Sequence, residues 1–217
     1  MDRRSFLMTA GVLAAGLGAP VRGLAAPGSV ALPAPATPGT RTLEEALKAR
    51  QSRRDFDTRP LPADVLSGLL WAACGVNRPE IGKCTAPTAM NRQEIAVYVT
   101  KADGLFLYEP KEHGLKRLGE ADLRAATGKQ AFAATAPVNL VYVADMTKVA
   151  GTTPDEKIFY AGADTGFISQ NVYLYCAAMG LATVVRASID IPTLAGAMGL
   201  PGTKRITLAQ TVGYPKA

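Results

Sequence analysis

The stretch from Asp155 to Met179 constrains this chain more than any other. It carries a long helix signal and is apolar on nearly every side, with Ile158, Phe159, Phe167, Ile168, Val172, Leu174, Tyr175 and Met179 distributed around it. A helix without a polar face has to be covered, either in the centre of a domain or in a subunit interface. Gly162 and Gly166, four residues apart, would let another backbone approach closely, and Gly180 stands at the C-cap position.

The elements around it alternate in type. Thr42 and Glu45 form a capping box that opens a helix through about Arg50, with Leu43, Ala46 and Leu47 as its apolar face. Pro60-Leu61-Pro62 marks a turn, and a second helix runs from Asp64 to about Gly75. A loop of mixed polarity spans Val76 to Arg92. Strands are expected at Ile95–Thr100, Leu105–Tyr108, Val138–Val143, Thr183–Val185 and Arg205–Val212, with Asp103-Gly104 as a hairpin turn. Residues 111–118 supply an edge strand, residues 121–127 a short helix, and Pro192 to Met198 another. Because strands and helices do not simply alternate, the fold class is α+β: a central mixed or antiparallel sheet wrapped by helices, with the long helix buried.

Two segments precede this body. In residues 1–25, Arg3 and Arg4 stand before an apolar run from Phe6 to Val21, too glycine-rich and short for a confident membrane span. Asp2-Arg3-Arg4-Ser5-Phe6-Leu7 resembles the twin-arginine export motif, an ordinary secretory signal or an uncleaved anchor being the alternatives. The resemblance implies a periplasmic or otherwise exported protein that folds, and takes up any cofactor, before it leaves the cytoplasm. Residues 26–41, rich in Pro and Ala, have no amphipathic period and read as a linker, which leaves 42–217 as the working domain.

Composition excludes several chemistries. With 48% hydrophobic and 19% charged residues, a packed core is within reach. One histidine leaves little room for a Ser-His-Asp enzyme or a His-built metal site, and no metal is expected. The formal charge is +6, of which the leader holds +2 through three arginines and one aspartate; the remaining +4 is too weak for a nucleic-acid partner. Among three cysteines, Cys176 lies in the long helix as core, while Cys74 and Cys84 either pair or stay as free thiols. His113 sits in a charged turn and is expected in solvent, Lys204-Arg205 is expected as solvated charge, and Trp71 is expected in the core. Tyr173 and Tyr175, two apart, face different sides of their helix, where either packs or edges a pocket.

The densest polar cluster is Arg50-Gln51-Ser52-Arg53-Arg54-Asp55-Phe56. Guanidinium forks match phosphate oxygens and a hydroxyl adds a donor, so the cluster suits an anion; equally, it is a solvated basic helix end opposite the helix dipole. Here the chain resembles a known family. Arg50-x-Ser52-x-Arg54-x-Phe56, then Ala86-Pro87-Thr88-Ala89 with Tyr98-Val99, then Gln170-Asn171-Val172-Tyr173-Leu174 through Gly180-Leu181-Ala182-Thr183-Val184, and last Gly213-Tyr214-Pro215 are similar, in order, to motifs of the nitroreductase family of flavoproteins. The likeness is strongest to the SagB-type subgroup, which contains thiazole- and oxazole-forming dehydrogenases. Several positions depart from the pattern. Gln51 replaces a basic residue, and Met90-Asn91 and Arg92-Gln93-Glu94 differ from the family's loop, with Glu94 where proline is frequent. Ala187 and Ser188 lack the acidic residue that some members place near flavin N5.

The resemblance implies a homodimer with two FMN sites at the subunit interface and the long helix as its spine. Arg50, Gln51 and Ser52 would hold the phosphate or ribityl chain of FMN, and Arg54 the pyrimidine edge of the ring, where a cation favours the reduced form. Pro87, Thr88, Ala89 and Asn91 would come from the partner subunit, and Val185 and Arg186 would line the other flavin edge. The implied activity is two-electron hydride transfer through flavin N5 between an electron donor and a small organic substrate, a quinone- or nitro-type acceptor or a molecule to be dehydrogenated. The rival readings are a flavin-binding module without catalysis and a plain dimeric interaction module.

Overall fold

The structure, a computed structural model, describes residues 29–37, 39 and 41–216. The expected leader, 1–25, lies outside the described residues. In chain order the elements are β1 (Ser29–Ala31), α1 (Leu43–Ala49), α2 (Ala63–Cys74), β2 (Val76–Arg78), β3 (Lys83–Cys84), β4 (Ile95–Lys101), β5 (Gly104–Glu109), β6 (Gly114–Gly119), α3 (Phe132–Thr135), β7 (Val138–Asp145), α4 (Pro154–Met179), β8 (Ala182–Arg186), α5 (Ile191–Ala197) and β9 (Lys204–Gly213). Seven strands form one sheet in the order β1-β6-β5-β4-β7-β9-β8, antiparallel at every pairing, and β2 and β3 form a separate hairpin. The expected α+β class holds.

β7 lies inside the sheet between β4 and β9 and is buried from Val138 through Ala144, as a continuous apolar run requires. Its side chains alternate between two cores. Leu140 and Tyr142 join Val97 and Val99 of β4 against Leu69, Leu70, Ile168 and Val172 of α2 and α4. On the other face, Val141 and Val143 join Tyr98, Leu194, Met198 and Ile206 beneath α5.

Both expected helix starts form. Thr42 and Glu45 close a capping box on α1, and Thr153 and Glu156 close one on α4, where hydrogen bonds from Thr152 and Thr153 hold the Glu156 carboxyl down to about 2. Gly180 ends α4 at φ 70°, a conformation glycine adopts without strain.

α4 departs from expectation in one respect. Ile168, Val172 and Cys176 are buried, but Phe159 is 69% exposed and Phe167 49%, and with Gly162, Gly166 and Gln170 they line one uncovered stripe. Among the described residues no other element covers that stripe. The same holds for α1, where Ala46 is buried but Leu43 and Leu47 are exposed, and for Trp71, expected in the core and 40% exposed.

The Pro- and Ala-rich stretch is no free tether where it is described. β1 pairs with β6, so the segment expected at the sheet edge lies one strand inside it. Beyond β1, Ser67 Oγ donates to Pro33 O at 2.6 Å, and Tyr175 OH donates to Ala36 O and Val65 O at 3.2 Å each. Gly68 makes this possible, because a Cβ there would overlap the Tyr175 hydroxyl and the Ala36 carbonyl oxygen. His113, expected in solvent, is half-buried under this strap. Its Nε2 meets Ser67 Oγ at 2.7 Å and its Nδ1 meets Tyr108 OH at 2.9 Å. Since Ser67 spends its proton on Pro33, Nε2 donates, and in the neutral ring, which burial favours, Nδ1 accepts from Tyr108. The expected helix at 121–127 is a single 3₁₀ turn, Arg124–Thr127. Lys204, expected as free charge, lies 3.6 Å from Asp145. Cys74, Cys84 and Cys176 are buried free thiols.

Candidate functional site

Two segments singled out in the sequence carry unusual chemistry, and the fold holds each by a different device. The first is the chain leaving α1. Arg50 caps the helix in an extended conformation, its N–H bonded to Ala46 O at 2.9 Å. The chain then runs beside β8, the last strand of the sheet, where Arg53 N–H donates to Thr183 O at 3.0 Å. Phe56 is buried against Phe132 and pairs with Pro215, anchoring the far end.

Tyr173 of α4 ties this segment to the sheet. Its hydroxyl accepts the Val185 N–H at 3.0 Å and bonds Ser52 Oγ at 2.8 Å. When Tyr173 donates in that second bond, the Ser52 proton is free for an incoming oxygen. Arg50 lies over the Tyr173 ring, its guanidinium carbon 5.4 Å from the centroid. Gln51 and Arg53 line a small polar cleft of about 150 Å³ with Arg41, Tyr173 and Thr183. Arg53 and Arg54 are exposed, and among the described residues no carboxylate forms an ion pair with Arg50, Arg53 or Arg54. Three guanidiniums without acidic partners, beside an oriented hydroxyl, make a receptor for an anion such as a phosphate ester.

The second segment is the loop Pro87–Gln93. Met90, Asn91 and Gln93 have φ of 53°, 53° and 49°, three non-glycine residues in the left-handed region within four positions. Asn tolerates that region; Met and Gln do so at a cost of about 1 kcal/mol or more each. The loop is held regardless. Gln93 N–H donates to Thr88 Oγ1 at 3.0 Å, Gln93 Nε2 donates to Gly82 O at 2.9 Å and to Asn91 Oδ1 at 3.2 Å, and Ala89 N–H donates to Asp164 Oδ2 of α4 at 2.9 Å. Pro87, Met90 and Asn91 remain exposed on its outer side.

The ten expected site residues therefore fall into three places. Arg50, Gln51, Ser52 and Arg54 lie on one segment, and Val185 joins them through Tyr173. Pro87, Thr88, Ala89 and Asn91 form the separate strained loop, with no hydrogen bond to the first group among the described residues. The guanidinium of Arg186 turns into the molecule. It donates to Thr127 O at 2.7 Å, Thr211 Oγ1 at 2.8 Å, Asn139 Oδ1 at 3.0 Å and Thr127 Oγ1 at 3.3 Å, and lies over Phe132. Burial pulls it down to about 10. Only its backbone reaches the strand edge.

Sequence reasoning left Tyr173 between packing and a pocket, and did not connect it to Ser52 because 121 positions separate them. The extended backbone of residues 50–56 is legible only once β8 is known to be an edge strand.

Known proteins share this plan. Residues 47–214 match the model of the nitroreductase family. A chain from Ralstonia eutropha, described as a nitroreductase, is 39% identical and superposes with a TM-score of 0.82 over 88% of this chain and 90% of its own. A protein of Methanocaldococcus jannaschii named as a nitroreductase is 33% identical over 152 residues, 65% of this chain and 76% of that one. A Desulfovibrio desulfuricans protein described as a nitroreductase and solved in complex with FMN shares the fold at 19% identity, with a TM-score of 0.61 over 82% of this chain and 88% of its own. The chain described here belongs to the nitroreductase family.

Proposed function

We propose that this protein is an exported FMN-dependent oxidoreductase that works as a homodimer and passes two electrons between a donor and a small organic substrate. The observation that carries the reading is the hydroxyl relay Val185–Tyr173–Ser52 beside Arg50, Arg53 and Arg54, which form no ion pair among the described residues. It matches a dianionic phosphate ester, and a family relative of the same fold is solved with FMN.

The residues fit that group only in part within one chain. The cleft beside Gln51 and Arg53, at about 150 Å³, is smaller than the roughly 300 Å³ from which ligand sites of this kind begin. The uncovered stripe of α4 supports the same conclusion, since Phe159 and Phe167 beside Gly162 and Gly166 suit a second copy of the helix. In this reading Arg50, Gln51 and Ser52 hold the phosphate or ribityl chain, Arg54 faces the pyrimidine edge, and Val185 borders the ring. Arg186 contributes backbone only. Pro87, Thr88, Ala89 and Asn91 of the second copy complete the enclosure. When bound, FMN supplies hydride transfer through its N5 atom. The chain's own part is to grip, to orient and to exclude water.

The order of motifs supports membership of the SagB-type subgroup, and Arg3-Arg4 with the apolar run behind them supports export by the twin-arginine route to the periplasm. Outside the cytoplasm nicotinamide nucleotides are scarce, so the electron donor is of another kind, or the enzyme dehydrogenates its substrate. Purification of the full chain tests this directly: the protein is expected yellow and dimeric, to release FMN on denaturation, and to bleach with a reductant and recover with a quinone or nitroarene. A yellow protein that no donor or acceptor cycles would support a flavin-carrying module. A colourless protein that takes up no added FMN overturns the reading.

A further inference from the structure

Glu94 opens β4 and is buried to 3% exposure, with neither carboxyl oxygen hydrogen-bonded to any described residue. Its polar neighbour is the carboxyl of Asp164 on α4, itself 2% exposed. Asp164 in turn accepts the Ala89 N–H of the strained loop. An ionised Glu94 in this place would be a buried charge with no donor but its own backbone amide, pressed against a second carboxylate, which is among the costliest arrangements in a protein interior. One proton between the two acids removes the repulsion and gives each a hydrogen bond.

We propose that Glu94 and Asp164 share a single buried proton, and that this proton holds the Thr88–Asn91 loop in its left-handed conformation. Glu94 is then a positioning residue, acting on the loop through Asp164. Its importance for flavin rests on the reading above, in which that loop encloses the cofactor of the second copy; the shared proton itself does not.

The surroundings leave this pair as the group that responds near neutrality. Cys74 on α2, Cys84 on β3 and Tyr108 on β5 line the adjoining cavity, and burial pushes all three up, so they stay uncharged. At the lower end Asp145 is held ionised by the Thr147 hydroxyl and amide and faces Lys204, with Lys148 beside it. Lys111 and Glu112 stand exposed at the rim, and Glu109, the remaining acid of the cavity lining, accepts from Ser29 Oγ of β1. For Glu94, burial first and Asp164 next push the acid from 4.5 up to about 7, against the opposing pull of its own backbone amide. The raised value means the shared proton is fully in place at pH 4.5 and lost as pH climbs through about 7.

The test is an infrared pH titration of the full chain, with the Ala89 amide followed by NMR. The wild type is expected to show a protonated-carboxyl carbonyl band that disappears as pH rises from about 5 to about 9, and an Ala89 amide resonance that moves with the same midpoint. Glu94→Gln lacks the band yet keeps the Ala89 resonance at its low-pH position throughout, because the carboxamide donates to Asp164 as the acid does. Asp164→Asn, which offers Glu94 a donor without a charge, is expected to lose the band at neutral pH. In flavin titrations the wild-type FMN affinity falls at least tenfold over that range while Glu94→Gln stays flat. A wild type without the band, or an Ala89 resonance that titrates equally in wild type and Glu94→Gln, overturns the proposal. A wild type that binds no FMN at all overturns the flavin reading instead, with the band and the amide still deciding the proton.

Discussion

Arg186 and Arg54 are both expected at the flavin, yet the fold uses them in opposite ways. Arg186 makes four hydrogen bonds to Thr127, Asn139 and Thr211 through its two terminal nitrogens, which ties it to the sheet and to the turn that covers it, while its Nε is buried without a partner among the described residues. Arg54 is exposed, and no carboxylate pairs with it among the described residues. The difference follows from position on the strand edge. On β8 the backbone polar groups of Thr183 and Val185 face outward to Arg53 and Tyr173, whereas the Arg186 side chain turns to the face covered by α3 and the 3₁₀ turn. A charge whose terminal nitrogens are tied down inside the protein serves the fold; a charge left at the surface without an ion pair is available to a ligand. The two sets should therefore separate cleanly by mutation.

The largest effect is expected at Arg186. Arg186→Ala strips donors from Asn139 Oδ1 and Thr127 O in a sealed site, and should destabilise the protein by about 3 kcal/mol in denaturant unfolding. Flavin affinity per folded molecule should change little. Arg54→Ala should do the reverse, lowering FMN affinity at least tenfold by calorimetric titration while shifting stability by less than about 0.5 kcal/mol. If the two variants exchanged these signatures, the division between structural and ligand-facing arginines would fall.

The same division explains what could be read in the sequence. The capping box at Thr42, the Gly180 stop and the apolar strand of β7 are local signals, written within a few residues, and form as expected; the box at Thr153 and Glu156 is just as local but is not among the expected signals. The spacing Arg50-x-Ser52-x-Arg54 is equally local. Partners far apart in the chain left no such trace. Tyr173 meets Ser52, Glu94 meets Asp164, and His113 meets Ser67 only because the sheet and α4 bring them together. Leu43, Leu47 and Trp71 carry apolar patterns that predict burial, but the described residues do not supply the surface that would cover them. A periodic pattern says that a face is to be buried without saying by whom.

His113 gives a smaller effect of the Arg186 kind. Burial pulls its imidazole below the usual 6.5, the Pro33 carbonyl opposing only in part, and the neutral ring is needed to accept from Tyr108. The group therefore contributes its full stability above 6.5, lost as pH falls below that value and the ring charges. Between about pH 7.5 and pH 5 the melting temperature of the wild type should fall relative to that of His113→Gln. Thermal melts of the two proteins across that range check it, and parallel curves would remove His113 from the strap.

Met90 tests the ligand-facing side from the opposite direction, by repair instead of damage. At φ 53° and ψ 23° its Cβ is strained, its side chain is 76% exposed, and it makes no core contact that a substitution would lose. Met90→Gly removes the strain but frees the unfolded chain, so the net gain is small, about 0.5 kcal/mol by thermal or denaturant unfolding. A loop shaped only for folding should accept that gain without consequence. A loop shaped to enclose the cofactor of a second copy should become more stable and bind FMN more weakly, because glycine also admits the conformations that methionine forbids. Opposite signs in stability and affinity at one exposed residue would mark the strain as functional; equal signs would reduce the loop to a turn.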